Sequence, residues 1–148
     1  MEIIIIILGI LIDRLTKLWA LNSLTKVDQI AIINNFFDLQ YLENRGAAWG
    51  TFQNKTVFLA AVTLLIIAGM IFYFVKFKPK GKLFRAALAL ILAGALGNLY
   101  DRLIYKYVVD FIHFHYKDVY NFPTFNVADM CVVIGTAFLI IHVARDGK

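Results

Sequence analysis

The sequence predicts an all-α membrane protein with four transmembrane helices and one small β element. Hydrophobic residues make up 61% of the 148 residues and charged residues only 17%. Soluble domains are roughly 45–50% apolar and about 25% charged. Four apolar stretches are each long enough to cross a bilayer, which takes about 20 residues. A short basic loop separates the second stretch from the third, as is typical of a cytoplasmic loop.

The four predicted spans differ in where they carry polar residues. The first is interrupted by Asp13, Arg14 and Lys17, the second has no charged residue, and the other two are polar at one end. We interpret "MEIIIIILGILI" as a retained span, since a signal peptide would carry a basic n-region and a clear cleavage site. We expect one integral membrane domain, with spans at residues 3–21, 56–75, 84–104 and 126–144.

The basic loop predicts the topology. "KFKPKGKLFR", residues 76–85, carries five positive charges, so we expect this loop and both termini in the cytoplasm. Arg145 and Lys148 near the C-terminus agree with that side. Residues 22–55 and 105–125 then lie outside the cytoplasm.

The first outer segment has the composition of short strands. It mixes β-branched and aromatic residues with partial alternation, and Gly46 and Gly50 predict a turn. Aromatic residues favour the membrane interface, so we expect this segment to pack on the membrane surface. Those aromatic residues are Phe36, Phe37, Tyr41 and Trp49.

Polar residues from separate segments are predicted to meet at one depth, near the outer surface of the membrane. Charges that only kept the chain soluble would not need a common depth, and ionisable residues within spans are functional by default. These residues are Asp13, Lys17, Asn44, Arg45, Asn98, Asp101, Arg102, Asp110, Asn126 and Asp129.

Asp110 and Asp129 are the pair that we favour as catalytic. Two carboxylates close enough to share a proton cannot both ionise easily, so the pKa of one rises. The ionised partner can then take a proton from water while the protonated partner polarises a scissile carbonyl. The alternative is two unrelated charges, one in an exposed loop and one at the interface.

Two further groups allow both a functional and a structural interpretation. Asn126 shares a helix face with Asp129 at spacing i, i+3, and is either an N-cap or a hydrogen-bond partner of the dyad or substrate. Asn98, Asp101 and Arg102 share another face. Arg102 either binds a phosphate or carbonyl oxygen, or anchors its helix at the interface by snorkelling.

Two other clusters are interpreted structurally. Asp13 and Lys17, at i, i+4, predict an ion pair that supports the fold. His113 and His115 lie near Asp110 in sequence, and two histidines with a carboxylate could bind zinc. No H-E-x-x-H is present and the segment is typical of an interfacial strand or turn, so we predict no metal.

Other classes of protein are disfavoured. Ser23 is the only serine, which argues against a serine protease. Cys131 is the only cysteine, so no intrachain disulfide can form. The basic patch has no recognisable nucleic-acid module beside it, and we predict no nucleic-acid partner.

Five motifs in order carry a resemblance to a known family. They are "DRLTK" at 13–17, "NRGAAWG" at 44–50, "GNLYDR" at 97–102, "VVDFI" at 108–112 and "FNVAD" at 125–129. Together they resemble lipoprotein signal peptidase, the type II signal peptidase of bacteria. The resemblance covers nearly the whole chain, and length and predicted spans agree with it.

The resemblance implies a multi-pass aspartic endopeptidase of the bacterial cytoplasmic membrane. Such an enzyme removes the signal peptide from prolipoproteins, cutting before a diacylglyceryl-modified cysteine, and is inhibited by globomycin. It implies prolipoprotein substrates and membrane lipids as partners, no cofactor, and a small extracytoplasmic β-cradle that fits residues 26–50. It assigns catalysis to Asp110 and Asp129, and support or ligand contact to Asp13, Lys17, Asn44, Gly46, Asn98, Asp101, Arg102 and Asn126.

Two rival classes remain. A proton-coupled transporter would also use intramembrane carboxylates, but transporters usually keep polar groups near mid-membrane and often have repeated halves. A structural or assembly protein would explain the spans, but not the gathering of carboxylates at one depth.

Overall fold

The protein is mostly helical with one small antiparallel sheet, in a computed structural model that describes residues 1–47, 51–117 and 119–146. A 3-10 helix at Leu24–Lys26 follows the first α-helix. Within the described residues the four α-helices are α1 (Glu2–Ser23), α2 (Thr56–Phe77), α3 (Lys82–Ile104) and α4 (Val127–Asp146).

Three of the helices are long and apolar enough to cross a membrane. They are Thr56–Phe77, Lys82–Ile104 and, within α4, Val127–Arg145, with mean hydropathies of 2.6, 1.6 and 2.2. Helix α1 matches them in length but carries Asp13, Arg14 and Lys17 in its second half. The four-span count therefore stays a prediction.

The sheet combines two pairings between strands adjacent in sequence with one long-range pairing, of β2 with β3. Strands β1 (Ile30–Ile33), β2 (Phe37–Asn44), β3 (Val108–Tyr116) and β4 (Tyr120–Asn121) follow one another across the sheet, each antiparallel to the next. The predicted short strands of the first outer segment are present as β1 and β2. The predicted turn is described only at Gly46, since Gly50 and the aromatic Trp49 lie outside the described residues.

Helices α3 and α4 pack with their backbones close together, because small residues line their contact. A Cβ atom on Gly94 would collide with the carbonyl oxygen of Ala128, and one on Gly135 would lie 2.8 Å from the carbonyl oxygen of Ala87. Small residues allow this close approach in membrane helix pairs. The packing brings the last turns of α3 beside the first turn of α4.

Strand β3 is buried on both faces at its beginning. Val109 and Phe111 pack with Ala20 and Leu24 in one apolar cluster that joins the sheet to α1. Because side chains alternate along a strand, Asp110 points away from that cluster, toward the opposite face. The core therefore fixes the direction of the Asp110 side chain.

Candidate active site

Asp110 and Asp129 line one cavity of about 620 Å³. Asp110 comes from strand β3, and Asp129 from the first turn of α4. The cavity also has an apolar wall, formed by residues that include Phe122, Phe125, Val132, Val133 and Ile134. Two carboxylates and a hydrophobic surface thus meet at one site.

Asp110 is almost completely enclosed and accepts hydrogen bonds on both oxygens. It is 1% exposed. Asn44 Nδ2 donates to Oδ2 at 2.8 Å, and Asn126 Nδ2 donates to Oδ1 at 2.6 Å. Burial, and secondly the charge of Asp129, raise the pKa of Asp110 to about 7, although the two amide hydrogen bonds act in the opposite direction. This carboxyl therefore binds a proton near neutral pH.

Asp129 is held by the start of its own helix and by α3. Asn98 Nδ2 donates to its Oδ1 at 2.8 Å, and the backbone N–H of Asn126 donates to its Oδ2 at 3.1 Å. In return, the N–H of Asp129 donates to Asn126 Oδ1 at 2.9 Å. This exchange is a capping box, in which two side chains satisfy orphan amides at a helix N-terminus.

Asn126 connects the two aspartates. Its Oδ1 caps α4 through Asp129, while its Nδ2 reaches Asp110 and also lies 3.2 Å from Asn98 Oδ1. Both interpretations left open for this residue therefore describe real contacts. Asn126 therefore donates to both carboxylates, from its side-chain amide to Asp110 and from its backbone N–H to Asp129.

A buried lysine links the site to α1. Lys17 is 0% exposed, and its Nζ lies 3.0 Å from each of three oxygens, which belong to Asp13, Asp101 and Asn98. Arg14 Nη1 adds a second ion pair to Asp101, at 3.1 Å. The predicted ion pair between Asp13 and Lys17 is thus part of a larger network that reaches the partner of Asp129.

The same network holds the elements that carry the two aspartates. Asp13 Oδ1 accepts from the backbone N–H of Ala128 at 2.9 Å, at the start of α4. Asp101 Oδ2 accepts from the N–H of Val109 at 3.2 Å, immediately before Asp110. The buried carboxylates of Asp13 and Asp101 therefore hold the backbone of α4 and β3 in place, and they do not line the cavity.

Comparison with known proteins identifies the family. A family model described as signal peptidase (SPase) II matches residues 5–145. The chain belongs to the signal peptidase II family.

Two lipoprotein signal peptidases are similar over their whole length. That of Clostridium acetobutylicum is 58% identical over 153 aligned residues, which cover 100% of this chain and 99% of that protein. That of Clostridium novyi is 59% identical over 148 residues, with 100% of both chains covered. A solved structure titled as a bacterial membrane enzyme matches with a TM-score of 0.87 and 32% identity, over 99% of this chain and 89% of that one.

Asn44 and Gly46 determine the local geometry beside Asp110. The N–H of Gly46 donates to Asn44 Oδ1 at 2.9 Å, which turns Asn44 Nδ2 toward the aspartate. A Cβ atom on Gly46 would lie 2.6 Å from the carbonyl oxygen of Thr51. Glycine therefore fits this loop where other residues would displace it.

Arg102 lies at the cavity with hydrogen-bonding capacity to spare. It lines the cavity near the end of α3, and its Nε is buried without a hydrogen-bond partner among the described residues. A guanidinium in this position can bind a carbonyl or phosphate oxygen of a ligand.

The metal hypothesis for the two histidines with Asp110 is geometrically wrong. The Asp110 carboxylate accepts its hydrogen bonds from Asn44 and Asn126, and it is not grouped with the histidines among the described residues. The carboxylate that contacts both His113 and His115 is Asp38 of β2. Asp38 is not predicted from the sequence, because only the strand register brings it opposite His113.

Proposed function

We propose that the chain is a membrane aspartic endopeptidase that removes the signal peptide from prolipoproteins by cutting before a diacylglyceryl-modified cysteine. The observation that carries the proposal is the shared cavity of Asp110 and Asp129, whose carboxyl groups both accept hydrogen bonds from Asn126, from its side chain and its backbone N–H respectively. Membership of the signal peptidase II family supports the substrate class.

The two aspartates divide the acid and base roles. Asp110 binds a proton near neutral pH, so it donates a hydrogen bond to the scissile carbonyl oxygen and polarises it. Asp129, in the first turn of α4, acts as the partner that takes a proton from water. Since their titrations are coupled, the pair acts as one unit.

Hydrolysis then proceeds through a tetrahedral intermediate without an acyl-enzyme. The water oxygen bonds to the carbonyl carbon, Asp129 takes one water proton, and Asp110 gives its proton to the carbonyl oxygen. On collapse, Asp129 protonates the leaving nitrogen and Asp110 recovers a proton from a hydroxyl of the intermediate. The C–N bond breaks, and both carboxyl groups return to their starting states.

The apolar wall of the cavity suits a substrate anchored in lipid. The signal peptide and the diacylglyceryl chains share the hydrocarbon phase with the spans, and only the cleavage site must reach the polar rim. Holding the scissile bond there converts diffusion in a plane into an oriented encounter. Arg102 and Asn44 at the cavity are placed to contact substrate carbonyl groups or lipid oxygens.

We infer that all four helices cross the cytoplasmic membrane, with both termini in the cytoplasm and the site toward the outer face. The burial of the Asp13 and Lys17 side chains inside the protein supports α1 as a span, since paired charges need not meet lipid. Its outward face is apolar, with Ile3, Ile4 and Ile7 all exposed. The sheet would then form the extracytoplasmic cradle.

A cleavage assay tests the proposal. The purified chain in detergent or lipid should cut a diacylglyceryl-modified prolipoprotein, and globomycin should inhibit it. Asp110→Asn and Asp129→Asn should each lower the rate by at least about 100-fold, because acid–base groups contribute about 10²–10⁴-fold. Asp28→Asn, which removes an exposed carboxylate, is the matched control and should cleave normally.

The fold of each variant would be checked by circular dichroism and size-exclusion chromatography. Near-normal cleavage by either folded variant would reject the dyad. Proton flux in liposomes without cleavage would instead favour a transporter.

A further inference from the structure

A second cluster of chemically active side chains lies on the sheet, away from the cavity. Asp38 on β2 is directly opposite His113 on β3, and His115 follows two residues later on the same face. Directly opposed and diagonal side chains on one face of a sheet are within contact distance. None of the three lines the cavity of Asp110 and Asp129.

The three side chains converge on one point. His113 Nδ1 lies 2.8 Å from Asp38 Oδ1, and His115 Nε2 lies 3.1 Å from Asp38 Oδ2. The imidazole rings are parallel, with 6° between their planes. One ligand atom from each residue lies within 4.8 Å of the other two.

The hydrogen bond between His115 and Lys117 determines which ring nitrogen of His115 carries the hydrogen. The other ring nitrogen, which faces Asp38, then has the lone pair. His115 Nδ1 lies 3.2 Å from the carbonyl oxygen of Lys117, which can only accept, so Nδ1 carries the hydrogen. In the neutral ring, Nε2 is then an acceptor facing a carboxylate oxygen. A cation, either a proton or a metal ion, must lie between them.

This arrangement has the features of a metal-binding histidine site. A ligating histidine almost always donates its other N–H to a carbonyl or carboxylate, as His115 does to Lys117. Asp38 is 2% exposed, and the ion pairs described for it are those with the two histidines. A buried carboxylate needs positive charge nearby, and a divalent ion supplies it.

We propose that Asp38, His113 and His115 bind a zinc ion, with a water molecule completing a tetrahedral site. Two nitrogens and a carboxylate oxygen are zinc ligands, with bonds of about 2.0–2.2 Å. Ligand atoms around a tetrahedral ion must therefore lie about 3.4 Å apart, which rotations of the partly exposed histidine rings would achieve from the observed separations of up to 4.8 Å. The ion joins β2 to β3 and stabilises the sheet that supports Asp110.

Metal titration of the purified full-length chain, stripped with a chelator, tests the proposal. Zn²⁺ should bind with a stoichiometry of one by calorimetry, and Co²⁺ should give the visible absorption of a tetrahedral site. Asp38→Asn, His113→Asn and His115→Asn should each weaken binding by at least about tenfold, since even loss of an outer partner costs about 10–100-fold. His142→Asn removes a histidine outside the cluster and should bind like the wild type.

Two outcomes would overturn the zinc site: no saturable binding, or wild-type affinity in the folded variants. Zinc should also raise the unfolding temperature of the wild type but not of His115→Asn, whose side chain is the most exposed of the three. The zinc-free chain should still cleave prolipoprotein, so failure of either proposal is distinguishable from failure of the other. Cleavage that requires zinc while the zinc-free chain remains folded would contradict the structural role.

Discussion

At the scale of residues, several buried charged and amide side chains each make more than one contact. Asn126 both caps α4 and donates to Asp110, while Lys17 neutralises Asp13 and Asp101 and also holds Asn98. Burying a charge is costly unless it is paired and hydrogen-bonded. The network meets that requirement and leaves the carboxylates of the dyad facing the cavity.

The raised pKa of Asp110 makes the stability of the protein depend on pH. The folded state binds the proton with a pKa of about 7, against an ordinary value of 3.8 for a solvent-exposed aspartate, so it binds protons more tightly than the unfolded state. The stabilising contribution of this group is therefore full below about pH 4 and is lost as the pH rises through about 7.

Asp110→Asn removes this dependence, so the variant should unfold at a higher temperature than the wild type above about pH 7. The advantage should shrink as the pH falls toward 4. Thermal unfolding of both proteins would be measured in one detergent over pH 4 to 8. The difference between their unfolding temperatures removes the contribution of the other titrating groups, which both proteins share. A constant difference over that range would contradict the assignment of the proton to Asp110.

At the scale of elements, the close contact of α3 with α4 sets the geometry of the site. Asn98 reaches Asp129 because Gly94, one turn earlier, and Gly97, immediately before it, let α4 approach the α3 backbone. A Cβ atom on Gly97 would lie 2.6 Å from Asp13 Oδ2. The glycines of "AGALGN" thus serve packing, and no turn or special backbone conformation is involved.

Gly94→Ala should destabilise the protein and lower cleavage, because the added methyl group must push against Ala128 of α4. Overpacking of this kind costs about 1–3 kcal/mol. Gly69→Ala is the matched control, since nothing lies within 4 Å of its added Cβ, and it should be neutral or stabilising. Unfolding temperatures and cleavage rates measure both effects, and equal behaviour of the two variants would refute the packing argument.

The sequence predicts the helices well and the sheet register poorly, for physical reasons. Long apolar runs fix the helical segments, and i, i+4 spacing correctly gives the pair of Asp13 with Lys17. Contacts across strands depend on the register of their pairing. A bulge in β2, between Leu39 and Leu42, shifts the register of its pairing with β3. The pairing of Asp38 with His113 is therefore invisible in the sequence.

The polar contacts between distant segments are only partly foreseeable. A common depth predicts that Asp110 and Asp129 meet, and the structure puts them at one cavity. A common depth in the membrane does not predict that Asp101 positions the backbone of Val109, since that contact depends on tertiary packing. The predicted depth in the membrane thus identifies which polar residues lie near one another, and tertiary packing determines which groups each of them contacts.

At the scale of the whole molecule, the charge distribution predicts its orientation. The basic loop joins the end of α2 to the start of α3. The strands of the sheet follow α1 and α3 and precede α2 and α4, so the loop and the sheet lie at opposite ends of the helices. By the positive-inside rule we expect the loop in the cytoplasm, and the sheet and the dyad on the outer side. A substrate translocated across the membrane would meet the site on that side.

Labelling of single cysteines tests this orientation. In a Cys131→Ala background, Asp28→Cys should react with a membrane-impermeant maleimide in intact cells. Lys80→Cys, in the basic loop, should react only after the membrane is permeabilised. The reverse pattern would invert the topology and put the dyad on the cytoplasmic side.

The central claim is that Asp110 and Asp129 act together on one water molecule, and a double-mutant cycle tests it most directly. Single-turnover cleavage would be measured for Asp110→Asn, Asp129→Asn and the combined variant, with all three folded. Groups that act as a unit give strongly non-additive losses, so the combined variant should be about as slow as the slower single variant. Losses that multiply would mean that the two carboxylates act independently, which would contradict the shared mechanism.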